Sequence, residues 1–279
     1  QAGIVVAPAS VEEASAAIRC AAEARVPVVP FGGGTGLVGA QVMPEGPAPM
    51  VLSLERMNKI RALYAEENVL IAEAGATQQA LHDAAEAAQR LFPLSIASKG
   101  TAQIGGNLAT NAGGLNVLRY GNTRDLVLGL EAVMADGKIV NLMTALHKDN
   151  SGLNLRQLLI GSEGTLGVIT KAVLKLAPKP RAYATAMVAV PTLDDALTLL
   201  NRVQDATGGA VEAFEFMPKH YIDLHVTRIK GARAPFEDSY EHNIMIEVGA
   251  TSARDATPND TGEIPVVADL QVLMMGMME

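Results

Sequence analysis

The chain has 279 residues, 49% of them hydrophobic, so it is long enough to bury one large core or two ordinary ones. Its formal net charge of -8, without any cluster of Lys and Arg, disfavours nucleic acid or an anionic membrane as the main partner. The single cysteine, Cys20, excludes a disulfide framework and fits a reducing cytoplasm, and no apolar run approaches the roughly 20 residues of a membrane span.

The start of the chain predicts a β-α-β arrangement. Residues 4–7 and 26–31 are short apolar runs typical of strands, and Ser10 with Glu13 forms a capping box that begins a helix between them. The second strand leads directly into a glycine-rich stretch, residues 31–39. Ligands of α/β folds usually bind at the carboxyl ends of strands, so the position of this stretch predicts a binding loop.

The next part of the chain combines regular elements with a polar, glycine-dense region. Apolar runs at residues 50–54 and 69–74 predict two strands, and Thr77 caps a helix that is predicted to reach about Arg90. Residues 98–120 contain too many Gly and Asn for a regular element but too many apolar residues for a disordered linker. We predict an ordered loop there.

A hairpin, a helix and a strand complete the first predicted unit. Residues 128–134 and 138–142 flank Asp136 and Gly137, a dipeptide that strongly favours a two-residue hairpin turn. A helix is predicted near residues 154–160, followed by a strand over 166–176.

Prolines at 178 and 180 predict a boundary, and the pattern beyond it predicts a second α+β unit. Its elements are strands at 184–190, 211–216 and 243–248 and helices that begin at Thr192 and Pro218. Residues 251–263 are polar enough for a mobile loop. The chain begins without Met and stops within the apolar run 266–278, so both ends are predicted to be cut.

Residues 34–39 match the G-x-G-x-x-G spacing of the dinucleotide fingerprint, but the sequence around them does not. That fingerprint needs a helix directly after the loop, and residues 41–49 contain three prolines, Pro44 among them. No Gly-Lys-Ser/Thr occurs, which excludes a P-loop. The nucleotide-binding Rossmann interpretation is therefore disfavoured.

The five glycines of this stretch favour an anion-binding nest, because their N–H groups can line a concave surface without side-chain obstruction. A diphosphate is its natural ligand, whereas a plain tight turn would need only one or two glycines. Residues 105–107, 111–114 and 161–167 are further glycine-rich stretches. Each could be loop architecture alone, but together they suit one long ligand.

Four segments resemble the vanillyl-alcohol-oxidase-type flavoproteins, in the branch of FAD-linked D-2-hydroxyacid dehydrogenases that includes glycolate oxidase, D-lactate dehydrogenase and D-2-hydroxyglutarate dehydrogenase. They are residues 28–40, 99–121, 148–170 and 215–217. The resemblance implies an α+β fold. Residues 1–178 would form a two-subdomain FAD-binding domain of the p-cresol-methylhydroxylase (PCMH) type, and residues 179–279 an incomplete, ferredoxin-like substrate domain.

The resemblance also implies where FAD binds: the pyrophosphate on residues 32–36, with 100–114 along its length and 161–169 as a further wall. Neither His nor Cys occurs in residues 31–39 or 99–120, so non-covalent FAD is predicted. The candidate cofactor-binding residues are Pro30, Gly32, Gly33, Gly34, Thr35, Gly36, Leu37, Pro93, Gly100, Thr101, Ile104, Gly105, Gly106, Asn107, Thr110, Asn111, Gly113, Gly114, Tyr120, Glu163, Gly164, Gly167 and Ile169.

The activity that the resemblance implies is oxidation of a D-2-hydroxyacid, of the D-lactate, glycolate or D-2-hydroxyglutarate type, by hydride transfer from C2 to flavin N5. Nothing in the chain matches the family's metal-binding histidine motif, so the catalytic residues and any divalent metal are expected beyond Glu279. Arg119 is a candidate substrate carboxylate anchor, with a structural salt bridge as the alternative.

The sequence leaves partners and rival functions open. The expected electron acceptor is an electron-transfer flavoprotein, a quinone or a cytochrome, and the expected location is cytoplasmic, with peripheral membrane attachment through the acceptor and a homodimer both left open. The rival functions are a flavin-carrying electron-transfer protein within a larger complex and a UDP-N-acetylmuramate-reductase-like flavoenzyme that uses NADPH.

Overall fold

The computed structural model describes residues 3–43 and 45–278, and it confirms the predicted α+β class. The strands are β1 (Ile4–Val6), β2 (Val28–Phe31), β3 (Met50–Ser53), β4 (Ile60–Tyr64), β5 (Val69–Glu73), β6 (Arg90–Leu91), β7 (Val127–Met134), β8 (Ile139–Leu142), β9 (Gly167–Lys175), β10 (Ala177–Pro178), β11 (Ala182–Val190), β12 (Val211–Pro218) and β13 (His242–Ala250). The helices are α1 (Val11–Glu23), α2 (Gln78–Ala87), α3 (Ile104–Ala109), α4 (Val117–Tyr120), α5 (Arg156–Leu159), α6 (Leu193–Thr207), α7 (Lys219–Arg228), α8 (Ala253–Ala256) and α9 (Pro265–Met278), with a 3₁₀ turn at Thr123–Leu126.

The chain divides into two compact units. Unit 1 runs to Gly114 and resumes over Gly121–Pro178, whereas unit 2 comprises Leu115–Tyr120 and the chain from Lys179 onward. The second boundary lies beside a proline that marks a break in the sequence. No sequence signal indicated that residues 115–120 belong to unit 2. Their place there depends on contacts with Glu212, far along the chain.

Unit 1 contains a parallel sheet of order β1-β3-β2 and an antiparallel sheet of order β4-β5-β9-β7-β8. The β-α-β start is confirmed, although β1 and β2 both pair with β3 and not with each other. Helix α1 buries Ala14, Ile18 and Ala21 in a core that includes Leu52 and Val133. The glycine-rich stretch therefore begins at the carboxyl end of β2, at one end of this parallel sheet.

Local signals placed several boundaries correctly. The hydroxyl of Ser10 accepts a hydrogen bond from Glu13 N at 3.2 Å, so Ser10 is the N-cap. The predicted capping box is wrong, because the Glu13 carboxylate accepts from Ala9 N at 2.8 Å and not from Ser10 N. The hairpin is confirmed, but its turn has three residues, 135–137, and not the predicted two, with Gly137 in the left-handed region at φ 80°. Helix α2 ends at Ala87 and not near Arg90, which instead belongs to β6.

The prediction that residues 98–120 form only loop is wrong, because α3 and α4 lie within them. Ile104 and Leu108 of α3 are fully buried. A Cβ on Gly105 would lie 2.7 Å from the Ala74 Cβ. Residue 105 is therefore glycine because α3 packs closely on the end of β5, and not because the backbone is irregular.

Unit 2 is an antiparallel sheet of order β11-β13-β12 with α6 and α9 packed around its core. Thr192 caps α6 as predicted and forms a capping box with Asp195, and α6 ends at Gly208, which adopts φ 61°. Within the predicted loop 251–263 the chain forms the short helix α8. No helix among residues 3–43 and 45–278 is long and apolar enough to cross a membrane.

His82 gives a pH prediction for unit 1. Its Nε2 lies 2.8 Å from Leu94 O, and burial of the ring lowers its pKa. The unfolded chain therefore binds the proton more readily, so stability should fall as the pH drops through about 6.5 and level off below the folded pKa. Urea unfolding of wild type and His82→Gln at neutral and mildly acidic pH measures this. Equal loss of stability in both proteins would contradict the assignment.

Candidate functional site

Unit 1 contains a cavity of about 640 Å³, a size typical of small-molecule and cofactor sites. Three segments line most of it: the stretch after β2, helix α3 with the residues that follow it, and the stretch between α5 and β9. These segments contain the four glycine-rich stretches that the sequence singles out. Side chains from β3 and the end of β5 form its apolar floor.

The first wall is the glycine loop, residues 32–41, which forms no helix. A Cβ on Gly33 would lie 2.0 Å from Thr101 O, so only glycine fits there. Gly34 and Gly39 have positive φ, at 67° and 75°. The loop is therefore built from one close backbone approach and two left-handed glycines. The described residues that follow are also non-helical, as predicted against a Rossmann fold, whereas Pro44 lies outside the described residues.

The second wall is α3 and the turn after it. Asn107 lines the cavity and is only 5% exposed, yet its Nδ2 has no hydrogen-bond partner within residues 3–43 and 45–278. A buried donor without an acceptor costs about 1–3 kcal/mol, so a ligand that supplies an acceptor here would recover that free energy. This orphan donor fits a ligand rich in oxygen atoms.

The third wall is the stretch between α5 and β9, and backbone hydrogen bonds join it directly to the second wall. Gly161 N donates to Leu108 O at 3.0 Å, and Glu163 N donates to Ala109 O at 2.9 Å. Glu163 and Asn111 both line the cavity and both adopt left-handed backbone, at φ 53° and 48°. Such conformations are uncommon outside glycine and often occur at ligand sites.

Most predicted cofactor-binding residues are brought together in this lining. They are Pro30, Gly32, Gly33, Gly34, Thr35, Gly36, Leu37, Gly105, Gly106, Asn107, Thr110, Asn111, Gly113, Glu163, Gly164, Gly167 and Ile169. The lining residues that the prediction omitted are Phe31, Val38, Ala40, Gln41, Leu52, Leu54, Ala74, Ile96, Ser98, Gln103, Ala109, Ala112 and Val168. Most of these are apolar, and their sequence pattern resembles that of any core residue.

Six predicted residues lie outside the lining: Pro93, Gly100, Thr101, Ile104, Gly114 and Tyr120. Ile104 belongs to the buried core, and the carbonyl oxygen of Thr101 packs closely against Gly33 of the glycine loop. Tyr120 belongs to unit 2, where its hydroxyl donates to Glu212 Oε1 at 2.9 Å. Burial, and then the nearby Glu212 carboxylate, raise the pKa of Tyr120.

Arg119 also lies in unit 2, where it has a structural role. Its Nη1 donates to Glu212 Oε1 at 2.6 Å and to Gly249 O at 2.7 Å. Glu212 is 1% exposed. These contacts fit the salt-bridge alternative, since a substrate carboxylate would have to compete with Glu212 for the guanidinium.

The histidines are dispersed in the structure. His82 contacts Leu94 O, His147 Nε2 lies 2.9 Å from Glu67 O, and His220 and His225 are exposed. Within residues 3–43 and 45–278, no group of three or more His, Cys, Asp or Glu side chains could hold a metal ion. The histidines therefore do not converge on one site in this part of the chain.

The sequence matches the family of FAD binding domains over residues 2–143. It is 40% identical over 243 residues to D-2-hydroxyglutarate dehydrogenase of Xanthomonas citri pv. viticola, covering 87% of this chain and 50% of that protein. It is 39% identical over 253 residues to D-lactate dehydrogenase of Archaeoglobus fulgidus, covering 91% and 56%. The chain thus spans about half the length of the curated relatives it matches.

The fold has a solved counterpart. An alkyldihydroxyacetonephosphate synthase structure superposes with a TM-score of 0.76 at 22% identity, over 97% of this chain and 52% of that one. At this identity the likeness supports the fold alone.

Proposed function

Because the chain belongs to the FAD-binding domain family, we propose that the cavity of unit 1 binds FAD non-covalently and that the protein oxidises a D-2-hydroxyacid. The observation that carries the FAD site is the buried, unpartnered Asn107 Nδ2 in a cavity walled by glycine backbone. An FAD oxygen would satisfy that donor. Bound FAD would supply a hydride acceptor, which these side chains do not.

The residues of this chain would bind and orient the cofactor. The loop 32–36 would hold the diphosphate through backbone N–H groups, and Asn107 would fix a polar edge. The floor, which includes Leu52, Leu54 and Ala74, would exclude water from an apolar ring. None of the described lining residues is His or Cys, which supports non-covalent binding.

The substrate proposal rests on the named relatives, which are a D-2-hydroxyglutarate dehydrogenase and a D-lactate dehydrogenase. The proposed electron acceptor is an electron-transfer flavoprotein, a quinone or a cytochrome. The cytoplasmic location and the homodimer stay predictions.

A flavin titration tests the proposal. Added FAD should bind the purified chain, and acid denaturation should release all of it into the supernatant. Reduction of the bound flavin by D-2-hydroxyglutarate or D-lactate is expected only where the catalytic residues, for which this chain offers no candidate, are also present. Absence of FAD binding would refute the site, whereas reduction by NADPH alone would assign a reductase.

Gly106→Ala separates stability from cofactor binding. Gly106 lies in α3 and lines the cavity, and an added Cβ would meet no heavy atom within 4 Å. Alanine should therefore stabilise the helix by up to about 1 kcal/mol. The same methyl group occupies space proposed for FAD, so the Kd for FAD should rise about tenfold or more.

Thermal unfolding without FAD and a fluorescence titration with FAD measure the two effects of Gly106→Ala. The matched control is Gly276→Ala, another helical glycine with open space around its Cβ, which lies in unit 2. It should leave the Kd unchanged. Wild-type affinity in Gly106→Ala would mean that FAD does not approach this wall.

A further inference from the structure

Arg124 does not line the cavity, but its side chain fixes the segment that precedes the third wall. Its Nη1 donates to Gln157 O at 2.9 Å and to Gln157 Oε1 at 2.5 Å, and its Nη2 donates to Ile160 O at 2.7 Å. Ile160 directly precedes Gly161, and Glu163 follows two residues later. One guanidinium thus binds Gln157 and Ile160, in the segment that directly precedes the third wall.

The backbone of the same residue fixes the second wall. Arg124 N donates to Asn111 Oδ1 at 2.9 Å, and Asn111 adopts a left-handed backbone on the cavity surface. The adjacent Thr123 donates to Ala112 O through both its N, at 3.1 Å, and its Oγ1, at 2.6 Å. The 3₁₀ turn is therefore a fixed support from which Arg124 reaches both walls.

Among the described residues, no carboxylate forms an ion pair with Arg124. Its acceptors are carbonyl and amide oxygens. An uncompensated cation behind a cavity wall favours an anionic ligand in that cavity. A diphosphate provides such charge.

We propose that Arg124 is a positioning residue for the cofactor. Before FAD binds, it fixes the second and third walls, which contain the left-handed residues Asn111 and Glu163, and it contributes a positive charge that no ion pair among the described residues neutralises. The inference rests on the proposed FAD site. A preset site needs no ordering when the ligand arrives, which raises affinity.

Arg124→Gln tests the proposal by two readouts. The Kd for FAD, measured by flavin fluorescence, should rise roughly 10- to 100-fold, the range seen when residues that orient metal ligands are removed. Without FAD, hydrogen exchange of the amides of Gly161 and Glu163 should speed up, because the preceding segment, residues 157–160, is no longer held by the guanidinium.

Arg90→Gln is the matched control. Arg90 also fastens loops through oxygen acceptors, since its Nε donates to Ala65 O at 2.9 Å and Asn68 Oδ1 at 2.7 Å. It does not line the cavity. Its loss should leave the Kd for FAD and the exchange of residues 161–165 unchanged. A merely structural role for Arg124 would make the two variants alike in affinity.

Arg124→Lys separates geometry from charge. Lysine keeps the charge but cannot bind both carbonyls as a planar fork does, so its Kd should lie between those of wild type and Arg124→Gln. If Arg124→Gln fails to fold, Arg124→Lys and Gln157→Ala carry the same expectations in milder form. Wild-type affinity in these variants would overturn the inference, whereas a wild-type chain that does not bind FAD would overturn the proposed function.

Discussion

Replacing Glu212 with alanine is expected to destabilise unit 2 by about 3 kcal/mol, the lower end of the range for breaking a buried ion pair. Glu212 is 1% exposed and accepts from Arg119 Nη1 at 2.6 Å, Tyr120 OH at 2.9 Å and Asn116 Nδ2 at 2.9 Å. Alanine would remove the acceptor of Tyr120 OH and Asn116 Nδ2, whereas Arg119 Nη1 would keep Gly249 O. The Arg119 side chain keeps 17% exposure, so water would recover part of the loss.

Hydrogen exchange at the amides of β12 and β13 measures the effect within unit 2. Residues 115–120 should lose protection most, because Glu212 accepts three hydrogen bonds from that segment. Asp223→Ala is the control: it breaks the exposed Lys219–Asp223 pair and should cost no more than about 0.5 kcal/mol. Equal protection in the two variants would show that the buried ion pair adds nothing to the stability of unit 2.

Glu212 also illustrates what the sequence could not predict. Its partner Arg119 lies 93 positions earlier, and Arg124 acts on a residue 33 positions away. Neither spacing has a local pattern, so Arg119 was noticed without its partner and Arg124 was not noticed. The assignment of residues 115–120 to unit 2 depends on the same long-range contacts.

Features encoded within a few residues were predicted well. The caps at Ser10 and Thr192 and the turn at Gly137 each satisfy backbone groups nearby, so their residue types alone indicate them. Strand β4 was missed, and α3 was mistaken for loop, because tertiary packing overrides weak local preference.

The walls of the cavity were predictable but its floor was not. Glycine-rich walls stand out because glycine is costly unless backbone must approach closely or adopt positive φ. Leu54 and Val168 face the cavity, yet both belong to the core cluster as well. Apolar residues look the same in sequence whether they cover a core or a cofactor.

Gly33→Ala should have the largest effect on the cofactor site. The new Cβ would lie 2.0 Å from Thr101 O and 3.0 Å from Ala102 Cα, and both are backbone atoms that cannot rotate away. Either the glycine loop or the 101–102 segment must therefore move by about an ångström. We expect a loss of about 2–3 kcal/mol in stability, as in overpacked cores, and a rise of at least about 100-fold in the Kd for FAD.

Gly32→Ala is the matched control for this change. Its nearest heavy atom would be Gln103 Oε1 at 3.7 Å, an ordinary contact with the end of a flexible side chain. Both substitutions restrict the unfolded chain equally, so their difference in unfolding free energy isolates the clash with Thr101. Gly32→Ala should stay within about 1 kcal/mol of wild type. If both variants unfold alike, the close approach of the glycine loop to Thr101 cannot be what shapes the site.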